Sequence, residues 1–188
     1  MKIQKIVGVA ALLATLPMAS NAANFNYNYG QIDYQSGDFD GFGVSGTFEI
    51  NDEIFVRAGY IGATNDDAGF DIDYTRISVG AGYHMPIITK TDTDAVFTVS
   101  IVNEELDNPT LPGGSVDETG IMLTAGVRHN LNSDVELAGD LFYIDALDGD
   151  FGIYGEARYN INKDMSAGIG FTSSDHIDGL SLNFRFGF

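Results

Sequence analysis

Residues 180–188, LSLNFRFGF, decide the fold of this chain. Apolar side chains stand at every second position from Leu180 to Phe188, and polar or small residues stand between them. Because successive side chains of a strand point to opposite faces, this stretch predicts a β-strand with one apolar and one polar face. Such a strand belongs to a sheet that is apolar on one side only.

The same alternation recurs along the rest of the chain, and no helical period interrupts it after residue 22. We count about ten strands, with eight as the alternative, and most are close to the roughly 9–11 residues that a tilted strand needs to cross a membrane. These strands predict an all-β, antiparallel up-and-down barrel. Because their number is even, both chain ends are expected on one side. The predicted strands lie near 24–34, 39–50, 54–60, 76–83, 97–101, 121–128, 135–143, 153–159, 165–171 and 180–188.

The first 22 residues are typical of a cleaved signal peptide. Lys2 and Lys5 precede an apolar run at 6–16, and Ser20 and Ala22 are small residues at positions −3 and −1 of a cleavage site. The run is shorter than the roughly 20 residues of a transmembrane helix. We therefore assign residues 1–22 to a signal peptide and residues 23–188 to a single barrel domain outside the cytoplasm.

Composition excludes several classes of function. Without residues 1–22 the chain keeps 7 of its 9 basic residues and all 27 acidic ones, a formal net charge of −20. Such a chain has no basic patch for nucleic acid. The absence of cysteine excludes disulfides, thiolate metal sites and cysteine nucleophiles. We expect no cofactor.

The arginines indicate which face of the sheet points inward. In a soluble sandwich, which is the alternative, a polar face simply meets water. A barrel in lipid has the opposite arrangement, apolar outside and polar inside, and it leaves no strand edge unpaired. All five arginines lie on the face opposite the aliphatic one: Arg57, Arg76, Arg128, Arg158 and Arg185.

Arginines inside a narrow lumen need acidic partners, because a buried charge without a partner is costly. Glu156 and Arg158 are neighbours on one face, and a short turn brings Glu136 close to Arg128. The predicted partners are Glu49, Glu136, Asp140 and Glu156, with Glu104 and Glu118 nearer the outer mouth. The inward glycines make room for these long side chains: Gly43, Gly59, Gly80, Gly82, Gly126, Gly168 and Gly170.

Aromatic side chains on the apolar face predict two girdles at the membrane interfaces. Tyr60, Tyr143 and Phe171 form the outer girdle, and Tyr83, Tyr159, Phe186 and Phe188 form the inner one. We also interpret Phe25, Tyr27 and Tyr29, which alternate with asparagines, as the lipid-facing side of the first strand.

The C-terminal pattern, together with the signal peptide and the stretches VRAGY, VGAGYHMP, TAGVRHNL and EARYNINKDMSAGIGF, resembles the small bacterial outer-membrane β-barrel family. That family is porin-like and related to the membrane domain of outer-membrane protein A. The resemblance implies a Gram-negative outer-membrane location, with lipid and lipopolysaccharide as neighbours. It also implies that Phe184, Phe186 and Phe188 are a signal read by the barrel-assembly machinery.

A barrel of eight to ten strands is about as wide as its own side chains, whereas open porins use roughly 16 to 18 strands. We therefore predict a monomer with a structural role in the envelope and a charged, largely occluded lumen that passes ions or small solutes slowly. The alternative is an adhesin-like surface protein whose acidic outer loops bind divalent cations or lipopolysaccharide. These loops lie near 35–38, 64–70, 105–117, 146–150 and 173–177.

Catalysis is not predicted. His84 and His129 stand at the ends of predicted strands and are interpreted as solvated turn residues. His176 stands near Ser174 and Asp175, which are residue types of a nucleophile–base–acid set, but the serine is not in a recognisable elbow.

Overall fold

The computed structural model describes residues 25–66, 71–87, 92–110 and 113–188. The predicted signal peptide lies outside the described residues, as do residues 67–70 and 111–112 of the acidic loops. None of the described residues belongs to a helix that is long and apolar enough to cross a membrane.

The described chain forms ten antiparallel strands that close into a barrel. Each strand pairs with its sequence neighbours, and β1 pairs with β10, from Tyr29 opposite Gly187 to Gly37 opposite Gly179. This confirms the predicted fold class, with ten strands rather than eight. The strands are β1 (Tyr29–Gly37), β2 (Asp40–Glu49), β3 (Ile54–Asn65), β4 (Ile72–Pro86), β5 (Thr93–Asp107), β6 (Ser115–Asn130), β7 (Val135–Ile144), β8 (Asp150–Asn160), β9 (Met165–Ser174) and β10 (Asp178–Gly187).

The barrel has two different rims. The rim that carries both ends of the described barrel, called the terminal rim, has short turns in which an asparagine side chain replaces a backbone partner. Asn51, Asn132 and Asn162 each accept a hydrogen bond from the backbone N–H two residues later, at 3.0, 2.9 and 2.9 Å. Asparagine favours turns for this reason. The opposite rim, called the loop rim, carries the other connections, including the longest one, between β5 and β6.

The outer surface of the barrel is aliphatic. Ile101 is 66% exposed and Leu182 is 58% exposed, and other large apolar side chains of the same parity surround them. A continuous apolar belt of this kind is stable in lipid and not in water. The soluble alternative is therefore wrong.

The prediction for the lipid-facing side of the first strand is wrong. Phe25 and Tyr27 are buried inside the barrel and Tyr29 lines its lumen, whereas the lipid-facing side chains of β1 are those of Ile32 and Tyr34. Alternation alone cannot tell which face of a strand points outward. The polar residue Gln31 has the same parity as Tyr27, and this parity is the inward one.

The polar lumen as the candidate functional site

The first arginine–carboxylate contact spans the turn between β6 and β7. Arg128 donates from Nε and Nη2 to the two carboxylate oxygens of Glu136, at 3.0 and 2.9 Å. Parallel hydrogen bonds of this kind fix the orientation of both groups as well as their distance. The two residues are close because both strands turn back at residues 131–134.

Arg158 extends this contact around the lumen. Its Nη1 donates to Glu136 at 2.9 Å, and its Nη2 donates to Glu156 and, at 3.2 Å, to Gln31. Arg158 is 2% exposed, so these acceptors take the place of water around its charge. Glu136 therefore serves two guanidinium groups at once.

Arg185 completes the group from β10. Its Nε donates to Gln31 at 2.9 Å, its Nη1 lies 3.8 Å from Glu136, and its guanidinium carbon lies 3.7 Å from the ring centre of Tyr29. A cation over an aromatic face is favourable. The ion-pair cluster is defined here as Arg128, Glu136, Glu156, Arg158 and Arg185.

Other predicted lumen residues lie outside this cluster. Arg76 lies 3.7 Å from Glu104, nearer the loop rim. Arg57 and Asp140 line the same cavity, yet neither forms an ion pair with a residue that the structure describes. The Asp140 carboxylate occupies the space that a side chain at position 126 would fill, which explains the glycine there.

Glu49 has partners that the sequence did not indicate. It accepts a hydrogen bond from the side chain of Asn28 at 2.9 Å and lies 3.6 Å from Nε2 of His84. No arginine pairs with Glu49 within the described part of the chain, so the expectation of an arginine partner is wrong. Glu49 ends β2 at the terminal rim.

Two cavities lie inside the barrel. One, of about 330 Å³, extends toward the loop rim, and the other, of about 460 Å³, opens at the terminal rim. Both are lined by the same members of the ion-pair cluster and by one tyrosine. The shared lining residues are Tyr29, Arg128, Glu136, Arg158 and Arg185, which therefore lie between the two cavities.

A second polar group lies across the lumen, and sequence reasoning missed it. His84 is 1% exposed rather than solvated, with Nδ1 3.3 Å from the carboxylate of Asp94, which is 0% exposed. The ring of Tyr27 stacks on the ring of His84 at a centroid distance of 3.8 Å. The histidine cluster is defined here as Tyr27, Glu49, His84 and Asp94.

Tyr27 seals this cluster. Its hydroxyl donates to Asp94 at 3.1 Å, and burial raises the pKa of the phenol, so the group stays a donor. Both ring nitrogens of His84 and Oδ1 of Asp94 nevertheless lack a hydrogen-bond partner among the residues that the structure describes. The signal that could have revealed the cluster is parity, since His84 continues the inward row of Gly80 and Gly82.

The remaining histidines form no catalytic arrangement with the described residues. Nδ1 of His129 lies 2.8 Å from the hydroxyl of Thr93. His176 is exposed and lies 3.6 Å from Asp150, while the hydroxyl of Ser174 donates to the carbonyl of Ile177. Ser174 is therefore not hydrogen-bonded to a base.

Comparison with known proteins gives structural neighbours only. No family model matches the chain, and no curated protein matches its sequence. The KdgM porin in complex with disordered oligogalacturonate is similar at a TM-score of 0.55 and 8% identity, covering 85% of this chain and 99% of the porin. The NanC porin is similar at a TM-score of 0.50 and 10% identity, covering 85% of this chain and 98% of the porin.

The N-terminal β-barrel domain of Pseudomonas aeruginosa OprF is also similar, at a TM-score of 0.48 and 15% identity, over 86% of this chain and 100% of that domain. The similarity to the KdgM and NanC porins shows that the chain has the fold of bacterial outer-membrane β-barrels of the porin type, as the resemblance implied. The apolar belt and the closed barrel agree with the predicted outer-membrane location.

Proposed function

We propose that this protein has a structural role in the outer membrane and that its charged lumen is largely occluded, so that ions and small solutes pass slowly. The observation that carries the proposal is the set of five residues shared by both cavities. A solute that travels directly between these cavities passes the ion-pair cluster.

The pairing within the cluster supports a persistent barrier. Removing one partner of a buried ion pair leaves an uncompensated charge, so the paired arrangement is strongly preferred over a separated one. Glu136 is held by Arg128 and Arg158 at once, with three donor–acceptor distances of 3.0 Å or less. Opening a path through the cluster requires these contacts to break together.

Single-channel conductance in planar bilayers tests the proposal. Arg158→Ala removes the residue that links Glu136, Glu156 and Gln31, and we expect it to raise the conductance severalfold over a small wild-type value. Arg76→Ala is the matched control, because it removes a lumen arginine outside the cluster. A wild-type conductance as large as that of an open porin, or no change in a folded Arg158→Ala variant, would contradict the proposal.

The structural role has a separate test in cells. A strain that lacks the protein should admit detergents and hydrophobic dyes more readily, and both the wild type and Arg158→Ala should restore the barrier. A strain with an unaltered barrier would count against a structural role without bearing on the lumen.

We also propose that Phe184, Phe186 and Phe188 act as the assembly signal. The rings of Phe184 and Phe186 lie 4.8 Å apart in an edge-to-face arrangement on the outer face of β10, and Phe188 is exposed. The test is the yield of folded barrel in cells against the yield of refolding in detergent. Phe188→Ala should lower the first and leave the second unchanged.

The surface-binding alternative stays a prediction. Carboxylates lie directly opposite one another across neighbouring strands near the loop rim, at Asp73 with Asp107 and at Glu105 with Asp117. Among the described residues, no group of three or more histidine, aspartate or glutamate side chains is placed to hold a metal ion. We propose that the protein is not an enzyme, in keeping with the porins that share its fold.

A further inference from the structure

We propose that residues 25–28, called the N-terminal plug, form a displaceable stopper in the terminal-rim half of the lumen. The structure assigns the histidine cluster, called the socket, as the group of residues that holds the plug in place. This inference goes beyond the ion-pair cluster, because the plug fills the side of the lumen that the cluster leaves free. It concerns the segment before β1, which the alternation pattern had placed against lipid.

Side chains hold most of the plug in the lumen, and one backbone hydrogen bond joins its last residue to the barrel wall, from the N–H of Phe188 to the carbonyl of Asn28 at 3.0 Å. The ladder of β1 begins at Tyr29, so the plug precedes it. The hydroxyl of Thr47 donates to the carbonyl of Tyr27 at 2.5 Å, and Asn28 exchanges hydrogen bonds with Glu49 at 2.9 Å in both directions. Contacts of this kind can break without disturbing the barrel wall.

The plug also contacts the ion-pair cluster through Arg128. The guanidinium carbon of Arg128 lies 4.7 Å from the ring centre of Phe25 and 4.6 Å from that of Tyr27, and its Nη1 donates to the carbonyl of Asn26 at 3.4 Å. Arg128, a member of the ion-pair cluster, therefore connects that cluster to the plug. On the other side of the plug, Phe25 and Tyr27 pack with Phe55 and Val96.

The socket contains polar atoms that favour displacement of the plug from the lumen. Both ring nitrogens of His84 and one oxygen of Asp94 are buried without a hydrogen-bond partner in the described part of the chain while Tyr27 covers them. A buried polar group without a partner is unfavourable, and water would supply the missing partners once the plug leaves. With the plug in place, Phe25 and Tyr27 gain apolar contacts. With the plug displaced, His84 and Asp94 gain hydration, so the two positions of the plug compete in free energy.

The experiment measures how readily water-borne reagents reach the socket. The chain has no cysteine, so Val96→Cys places a single thiol beneath Phe25 and Tyr27. In vesicles, we expect a membrane-impermeant thiol reagent to label this variant slowly. Adding Tyr27→Ala should accelerate labelling at least tenfold, whereas Tyr34→Ala, a tyrosine removed from the lipid face of β1, should not change it.

A second variant distinguishes a displaceable plug from fixed filler. His84→Phe keeps a ring for Tyr27 to stack on and removes two of the atoms that lack partners. We expect labelling of Val96→Cys to become several times slower, because the open state loses part of its hydration. An unchanged or faster rate in a folded His84→Phe barrel would overturn the proposal, as would equal rates with and without Tyr27→Ala. These labelling rates do not depend on whether the ion-pair cluster limits conductance.

Discussion

The two polar clusters of the lumen lie side by side, and they differ in how their charges are satisfied. In the ion-pair cluster, Glu136 and Arg158 have direct charged partners and stand between two cavities. In the histidine cluster, His84 and Asp94 are covered by Tyr27 and keep atoms without a hydrogen-bond partner on any described residue. The ion-pair cluster consists of residues on the barrel strands, whereas the histidine cluster is covered by the plug, which precedes the first strand.

This difference separates a barrier built into the wall from one that can move. A charge network between strands is fixed by the strand register, since Glu136 lies opposite Arg158 in the β7–β8 ladder. The plug, which covers the histidine cluster, is not fixed by a strand register in this way. Substitutions in the two clusters should therefore have effects of different size on the free energy of unfolding.

The largest effect is expected for Glu136→Gln. Two guanidinium groups lose their shared carboxylate, and breaking a buried ion pair costs about 3–5 kcal/mol. The measurement is urea-induced unfolding of the refolded barrel in lipid vesicles. Glu105→Gln, an exposed carboxylate on the outer face of β5, should shift the free energy by no more than about 0.5 kcal/mol. Equal shifts in the two variants would contradict the paired role of Glu136.

An intermediate effect is expected for Gly82→Ala, beneath the histidine cluster. The ring of Phe55 occupies the space that a Cβ atom at position 82 would need, and overpacking costs about 1–3 kcal/mol. Gly30→Ala is the matched control, since the nearest atom to its Cβ position is 4.0 Å away. The same unfolding experiment should show a loss of stability in the first variant only.

The smallest effect is expected for His84→Phe. The ring still stacks on Tyr27, while two buried nitrogens without partners are removed, so the free energy of unfolding should change by less than about 1 kcal/mol. A loss as large as that of Glu136→Gln would show that the histidine is held by charge in the same way as the arginines. The comparison between the clusters would then fail.

Strand count and the inward arginines were predictable, because both follow from a period of two in the sequence. The contact between Arg128 and Glu136 was predictable as well, since the residues are separated by one short turn. The contact between Gln31 and Arg158 was not, because it joins residues 127 positions apart through the closure of the barrel. Parity gives the face of a strand but not the partner across the lumen.

The histidine cluster was harder to predict for a different physical reason. Tyr27 precedes the first strand, so only its shared parity with Gln31 indicates which side it faces. Once it folds inward, it excludes water from His84 and Asp94, which stand near the rim where a solvated turn residue is the ordinary expectation. Burial here depends on a segment that the pattern assigned to lipid.

The most direct test of the account is one conductance series in planar bilayers: wild type, Arg158→Ala, Tyr27→Ala and the double variant. If the ion-pair cluster and the plug close one cross-section side by side, the wild-type conductance should be small and each single variant should conduct more. The increase in the double variant should be at least the sum of the two single increases. A wild-type conductance equal to that of the double variant, with all four barrels shown to be folded, would contradict the central claim.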